Sequence, residues 1–515
     1  MQFISREVAP RSVWNLEQAG VHPLLARLYA ARGIHEAHQL DTSLAQLLPP
    51  SGLKGITQAA ALLAEAIASQ QKLCIVADYD CDGATACAVA LRGLRMLGAQ
   101  HVSYIVPDRV VDGYGLTPPI AQRVKASGAD VLITVDNGIA SVEGVATAKA
   151  LGLKVLVTDH HLPAEVLPDA DAIVNPNQPG CNFESKALAG VGVMFYVLLE
   201  LRAMQRARGV WEVETQPKLD TLLPLVALGT VADVVKLDAN NRRLVAQGLS
   251  RIRKGVMPAG MSALFVAAGR TSAHCTAQDF GFAIGPRINA AGRFAEMTLG
   301  IECLITDDPA RATELATALD RINRERRVIE AGMQETALAH LAEDQLSGAI
   351  SQRNSICLWN PQWHQGVVGI VASRLKERFN RPAIVFAPDG NTGDELRGSG
   401  RSLSGFHLRD ALDIVSKREP GLILKFGGHA MAAGLTIRKN DFERFDACFQ
   451  EVANGLLTDE ILERRHSHDG ALLPSEFTPE IGDLLAEEIW GQGFPQPVFY
   501  GEFEITQQSL MKEKH

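Results

Sequence analysis

Between residues 72 and 176 the chain alternates short apolar runs with longer stretches in which apolar side chains recur every three or four positions. The runs are KLCIVAD (72–78), HVSYIVP (101–107), DVLITVD (130–136), KVLVTD (154–159) and DAIVNP (171–176). Short apolar strands separated by amphipathic helices predict a parallel sheet covered on both faces, since each parallel strand needs a crossover and is buried on both sides. Residues 1–52 carry helical patterns such as HPLLARLYAARG and stop at the breaker Pro49-Pro50-Ser51-Gly52, which marks an N-terminal helical appendage. The stretch from Ser185 to about residue 305 is mostly helical by pattern, with Gly and Pro punctuation.

Asp308-Pro309 opens a long polar segment that runs to Glu343. Proline suits the first turn of a helix, and about 35 residues at 1.5 Å each span roughly 50 Å, so this segment is most simply a helix connecting two domains. A second α/β unit follows, with NSICLWN and RPAIVFAP as strands around the helical VGIVASRLKERF. Gly-rich turns are expected at GSGRS and FGGHAMAAGLT, and a last helix over residues 441–456. The tail ends on a strand-like run, residues 497–505, with too little chain left to close a small barrel.

Composition changes this picture little. The 515 residues are 46% hydrophobic and 21% charged, which is globular. With 50 basic and 59 acidic side chains the net charge is −9, which excludes a histone-like DNA coat. Eight cysteines form no CxxC pair, and several sit inside apolar runs, so they read as reduced, buried thiols. The N-terminus has no signal-peptide pattern and no run reaches the ~18 apolar residues of a membrane span, so a soluble cytoplasmic protein is expected.

The sharpest chemical signal is Asp78-Tyr79-Asp80-Cys81-Asp82-Gly83, where the first strand leaves the sheet. Its spacing matches the start of an EF-hand loop, but the twelfth position would be Val89 instead of Glu, and a strand precedes it where a helix belongs. Two further strands end in ligand-type residues, at Asp136 and at Asp159-His160-His161. A lone Asp after a strand is most often a helix cap. In an open parallel sheet, however, the carboxyl ends of neighbouring strands converge on one crevice, so several such endings can meet. Asp233, in LGTVADVV, is a further acidic candidate. Mixed carboxylate and imidazole donors suit Mn²⁺ or Mg²⁺, and a carboxylate shared by two cations is the usual arrangement for phosphoryl hydrolysis. No GxxxxGK[ST] loop is present, so an NTPase reading has no phosphate cradle.

The combination DYDCDG, VDNG, DHH and VADVV resembles the DHH phosphoesterase superfamily. GPRINAAGR (285–293), HQGVVGIVASRL (364–375), GSGRS (398–402) and FGGHAMAAG (426–434) resemble, within it, the bacterial RecJ family of single-strand-specific 5′ to 3′ exonucleases. The resemblance implies an α/β fold: a doubly wound parallel-sheet DHH domain (53–305) joined by a long helix (306–346) to a smaller α/β DHH-associated domain (347–457). The N-terminal helical appendage (1–52) and a partial OB-like C-terminal segment (458–515) complete the expected organisation. It also implies two Mn²⁺ or Mg²⁺ ions held by Asp80, Asp82, Asp136, His160 and Asp233, with Asp136 as bridge and Asp78 as a ligand or the partner of one.

By the same resemblance, His161 donates to the scissile phosphate, or else is a plain ligand or a histidine satisfied by the core. Ser373, Arg374, Arg401, Gly427, Gly428 and His429 would grip phosphate, and Arg109, Arg287, Asn289 and Arg293 would hold the strand unless they are ordinary paired surface residues. Arg321, Arg324, Arg326 and Arg327 on the connecting helix, with Lys376 and Arg378 beyond it, would add a locally basic cleft. The implied reaction is release of mononucleotides from single-stranded DNA, preferably 5′-phosphorylated, in repair and recombination. Single-strand binding protein and a recombination helicase are the implied partners of a monomer with no membrane association. Smaller superfamily members cleave short oligonucleotides, cyclic dinucleotides or pyrophosphate, and eukaryotic replication relatives are scaffolds without metal ligands. The added segments here favour a polymer substrate, and the intact ligand set disfavours a scaffold.

Overall fold

The structure is a computed structural model that describes residues 2–108, 112–346, 353–389 and 394–508. It divides into two compact units, one of Ser5–Asp320 with Ser467–His515 and the other of Met1–Ile4 with Arg321–His466. The chain opens with a strand, β1 (Gln2–Ser5). The central sheet of the larger unit consists of β2 (Leu73–Ala77), β3 (Val102–Ile105), β4 (Val131–Val135), β5 (Lys154–Thr158) and β6 (Ala172–Val174), in the order β3-β2-β4-β5-β6. Every pairing in it is parallel.

Side chains alternate between two layers. Leu73, Ile75 and Ala77 of β2 join a core with the helices Ile56–Ala68, Cys81–Met96 and Gly190–Ala207. Cys74 and Val76 join a smaller core with the helices Pro118–Ala126 and Val142–Ala150. The sheet is therefore doubly wound, and the chain leaves β2 first toward β3 and then crosses back to β4. Strand order reverses between β2 and β4, and a crevice opens at the carboxyl ends of strands at such a reversal. DYDCDG follows β2 and Asp136 follows β4, so the two acidic segments flank that point.

The first 52 residues hold the expected helices, preceded by β1: Pro10–Gln18 and Pro23–Ala30 place Leu16, Leu24 and Leu28 in the main core. At the other end of the chain one expectation is corrected. The run 497–505 forms no strand, and the strand of the described tail is β12 (Arg465–His468), paired with β1. Pro495 and Pro497 supply no N–H for a ladder at the start of that run. The OB-like strands expected there are absent from the described residues, and the helix Pro479–Glu487 occupies part of the segment. The tail clasps the N-terminal helices instead. Trp490 stacks on Phe494 at 5.6 Å, Arg32 lies over the Trp490 ring at 5.0 Å, and Arg32 donates to both carboxylate oxygens of Asp469 at 2.9 and 3.1 Å.

The smaller unit holds β7 (Ile356–Trp359), β8 (Ala383–Pro388), β9 (Glu395–Arg401), β10 (Ile423–Gly428) and β11 (Ala432–Arg438), ordered β10-β11-β9-β8-β7. Only β7 and β8 are parallel, connected through the helix Val368–Phe379. Here the glycine-rich segments expected as turns are mostly strand. Gly398 and Gly400 lie on the buried face of β9, where an added Cβ would come within 2.4 Å of Phe386 and 2.7 Å of Leu408. Gly427 and Gly428 end β10, leaving residues 429–431 as the turn. Between these sheets the chain runs as one helix of 38 residues, Pro309–Leu346. No helix among the described residues is long and apolar enough to cross a membrane.

Arg32 and Asp469 are each 1% exposed at the side chain. Removing one partner of a buried ion pair strands the other charge, at a cost of about 3–5 kcal/mol. Asp469→Ala is therefore expected to lower the melting temperature clearly in differential scanning fluorimetry and to make the segment after residue 469 the first site of limited proteolysis; an unchanged melting temperature and digestion pattern would contradict the clasp.

Candidate metal centre

Each candidate ligand is held by a specific backbone feature. Asp80 is the N-cap of the helix Cys81–Met96, its Oδ1 accepting from Gly83 N at 3.0 Å. Asp82, in the first turn of that helix, accepts from Gly190 N at 2.6 Å and Val191 N at 2.9 Å, so it also satisfies the N-terminus of the helix Gly190–Ala207. Asp78 Oδ1 accepts from Tyr79 N at 2.7 Å. Asp136 sits at φ 62°, a left-handed conformation that turns its carboxylate into the crevice directly after β4. Asp233 caps the C-terminus of the helix Leu223–Ala232.

Two glycines let these elements come close enough. A Cβ on Gly190 would lie 2.6 Å from the Asp136 side chain, and one on Gly229 would lie 2.2 Å from Thr85 Oγ1 and 2.9 Å from Asp82 Oδ1. His160 stands at the focus. Its Nε2 is 3.1 Å from Asp136 Oδ1, 3.4 Å from Asp233 Oδ2 and 3.9 Å from Asp82 Oδ2. Three overlapping groups have ligand atoms within 4.8 Å of one another: Asp78, Asp80 and Asp136; Asp82, His160 and Asp233; and Asp136, His160 and His161. Asp136 belongs to the first and third of these groups.

The electrostatics call for positive charge. Burial, then the charges of Asp82, Asp80, Asp78 and Asp233, push the Asp136 carboxyl well above its ordinary range. Burial first and Asp80 second raise Asp82 to about 7, and burial with neighbouring carboxylates raises Asp78 and Asp233 as well. His160 is driven down to about 4, by burial and then by the charge of His161, so it is a neutral imidazole. Its other ring nitrogen faces the Leu188 carbonyl, which leaves the Nε2 lone pair toward the acids. Asp136 Oδ1 and His160 Nε2 are both buried with no hydrogen-bond partner. Buried polar atoms are rarely left so. Oxygen-rich donors with one imidazole fit Mn²⁺ or Mg²⁺ at both positions.

His161 is held differently. Its Nδ1 is 2.7 Å from Asp159 Oδ1, and Asp159 also accepts from the N–H groups of Ile139, His160 and His161. Burial alone would lower the His161 pKa, but the hydrogen bond and charge of Asp159, with Asp233 and Asp78 behind them, lift it to about 9. The same hydrogen bonds hold Asp159 below the usual carboxylate range despite its burial. His161 is thus an imidazolium at neutral pH, with Nε2 3.3 Å from the Tyr114 hydroxyl. Tyr114 is a site residue that the sequence did not single out, and Asp159, counted there among the ligand-type residues, was given no role of its own. Asp159 was visible as the first letter of DHH but resembled an ordinary strand-end cap, and Tyr114 reaches the site only through the Gly113 and Gly115 turns, both at positive φ.

The remaining candidates separate into distinct environments. Arg287 donates to Asp320 at 3.0 Å and to the Ala283 carbonyl at 2.6 Å, the ion-paired alternative in its case. Asn289 Oδ1 accepts from Cys81 N at 2.8 Å, which ties the helix Gly285–Phe294 to the acidic loop. Arg293 is half-buried on the last turn of that helix, and Arg109 lies outside the described residues.

In the smaller unit, Ser373 returns its hydroxyl to the Gly369 carbonyl, and Arg374 faces Glu330 and Glu377 at 3.5 Å each. Arg401 instead lies at the end of β9, opposite Ala432 of the hairpin that carries Gly427, Gly428 and His429. It donates to Ser399 Oγ at 3.0 Å, and a Cβ on Gly369 would come within 2.9 Å of both. A guanidinium, a hydroxyl and the first turn of a helix therefore meet at one end of this sheet, which is a natural anion cradle. Ser399 and Gly369 were not singled out in the sequence. On the connecting helix Arg326 is paired with Glu330, while Arg321, Arg324 and Arg327 lie at its surface.

The chain is similar to known proteins over nearly its whole length. The family model "DHH family, N-terminal domain" matches residues 72–230 and "DHHA1 domain" matches residues 352–455. The single-stranded-DNA-specific exonuclease RecJ of Salmonella typhimurium is 48% identical over 500 residues, 96% of this chain and 86% of the relative. That of Escherichia coli is 47% identical over 501 residues, with the same coverage. Among solved structures, RecJ of Thermus thermophilus in complex with Mn²⁺ superposes with a TM-score of 0.80 at 32% identity, over 97% of this chain and 69% of that one. The Mg²⁺ complex of the same protein gives 0.74 at 30% identity, over 97% and 67%. The chain belongs to the RecJ family of the DHH phosphoesterases.

Proposed function

We propose that this chain is a divalent-cation-dependent exonuclease that hydrolyses single-stranded DNA from the 5′ end and releases mononucleotides. One observation carries the reading: five carboxylates and a neutral imidazole converge at the switch point of the sheet, with Asp136 Oδ1 and His160 Nε2 buried and unpartnered. Asp78, Asp80 and Asp136 would hold one Mn²⁺ or Mg²⁺, and Asp82, His160 and Asp233 the other, with Asp136 common to both. When bound, the ions supply Lewis-acid chemistry, activating water and offsetting charge on the phosphate.

The protein's own groups do the rest. His161, kept protonated by Asp159, points Nε2 outward as a donor for a phosphate oxygen. The Tyr114 hydroxyl lies 3.3 Å from that nitrogen. Arg401, Ser399 and the N-terminus of the helix Val368–Phe379 form an anchor suited to a terminal 5′-phosphate, which would set the polarity of degradation. Repair and recombination in the cytoplasm, with a single-strand binding protein and a helicase as partners of a monomeric enzyme, complete the proposal on family resemblance.

The test is degradation, with Mn²⁺, of a long 5′-phosphorylated single strand beside a duplex, a dinucleotide and pyrophosphate. Processive or distributive loss of the single strand alone is expected, with activity reduced by at least a hundredfold in Asp136→Ala and His161→Ala while strand binding stays within a few fold. Preference for the dinucleotide or for pyrophosphate would overturn the reading, as would Mn²⁺-independent strand binding with no cleavage.

Cation binding must expel protons from the raised carboxyls. In the cation-free protein these groups bind more protons folded than unfolded, so their contribution to stability is greatest at low pH. It falls as the pH rises from the ordinary carboxylate range through about 7, where Asp82 titrates. Mn²⁺ is therefore expected to bind more tightly, and to raise the melting temperature more, at pH 8 than at pH 6. Isothermal titration and scanning fluorimetry read this directly; a pH-independent response would contradict it.

A further inference from the structure

The helix that opens at Ala277 is interrupted by a π-turn, Phe280–Ile284, before it continues as Gly285–Phe294. Such a turn fits one extra residue into a helix, is seldom stable by itself, and recurs at functional sites. Phe280, Ala283 and Ile284 are buried beneath it, so the turn is firmly anchored. Phe282, carried on its outer side, is 83% exposed. The turn packs on the end of the ligand-bearing helix: an added Cβ would meet Val231 at 4.0 Å from Gly281 and Ala232 at 3.1 Å from Gly285. The next residue is Asp233, whose carboxylate is 3.4 Å from His160 Nε2. Val234 follows, at φ 59°, a conformation costly for a β-branched side chain, and is itself 63% exposed. Two apolar side chains are thus held out to solvent by strained or irregular backbone, one on the turn packed against the end of the helix that leads to Asp233 and one directly after Asp233.

We propose that Phe282 is a base-stacking residue: its ring takes the face of one nucleobase of the single strand as the scissile phosphate lies at the acidic cluster. The inference rests on the nuclease reading above and adds to it a positioning and specificity group. Stacking on an aromatic face is tolerant of sequence, because every base offers a π-face, and it is available only to unpaired bases. Phe282 would therefore contribute to the preference for single strands and fix the register of the strand relative to the acidic cluster.

The test compares Phe282→Ala, Phe282→Leu and Phe282→Trp in the full chain. Binding of a fluorescent single strand is measured in the His161→Ala background, and KM and kcat with Mn²⁺ in the otherwise unaltered enzyme. Phe282→Ala and Phe282→Leu are expected to weaken strand binding and raise KM by about tenfold, with Phe282→Trp within twofold of the parent. An abasic site walked along the oligonucleotide should cost the parent about as much at one position, and cost Phe282→Ala nothing further there. Melting temperature and Mn²⁺ affinity should be unchanged in all three variants. Equal binding by Phe282→Ala and the parent, full rescue by Leu, or an abasic penalty that survives in Phe282→Ala would overturn the stacking role. These outcomes leave Mn²⁺-dependent cleavage in place, whereas failure of the nuclease reading would abolish cleavage in the parent as well.

Discussion

The mutual repulsion of buried carboxylates at the reversal point of the parallel sheet is the constraint on which the site depends. Asp78, Asp82, Asp136 and Asp233 are each pushed toward their protonated forms by burial and by one another. A protein does not gather acids in this way for its own stability, because each raised pKa is free energy given up at neutral pH. Bound divalent cations would reverse the sign of the interaction: these oxygens would serve as ligands and the cluster would favour phosphate. The overall charge of −9 is compatible with a nucleic-acid substrate for that reason.

The fold sustains this arrangement by tying each acid to backbone rather than to flexible partners. Asp82 is fixed by the first N–H groups of the helix Gly190–Ala207, Asp80 by its own helix, and Asp136 by a positive φ that places it against Gly190. The two histidines are adjacent in sequence and opposite in character. His160 is buried and neutral, which suits it to a cation, and His161 is charged through Asp159, which suits it to donating a hydrogen bond to an anion. One peptide bond separates the two roles, and the carboxylate of Asp159 accounts for the difference.

Much of this was legible in the sequence because a parallel sheet imposes its own geometry. Five apolar runs gave five strands, and the acids at the ends of the first and third had to meet once the strand order placed those strands side by side. What could not be read depends on contacts between distant residues. Nothing near Arg287 announces Asp320, and nothing near Asn289 announces Cys81. The glycines in GSGRS looked like a turn because their requirement comes from Phe386 and Leu408, side chains of other elements that fill the space a Cβ would need. The tail looked like the start of a barrel because its apolar side chains suit a strand, yet Trp490 and Phe494 are consumed by packing on Tyr29, Arg32 and Arg242.

The chemistry proposed for the site turns on the sharing of Asp136 by two cations. Electron paramagnetic resonance of the Mn²⁺-loaded chain at pH 8 tests it most directly, because two ions bridged by a carboxylate are exchange-coupled and isolated ions are not. Two Mn²⁺ per chain with a coupled signal are expected, with conversion to an uncoupled spectrum in Asp136→Ala. A single uncoupled ion in the unaltered protein, or a coupled pair that persists without Asp136, would contradict it.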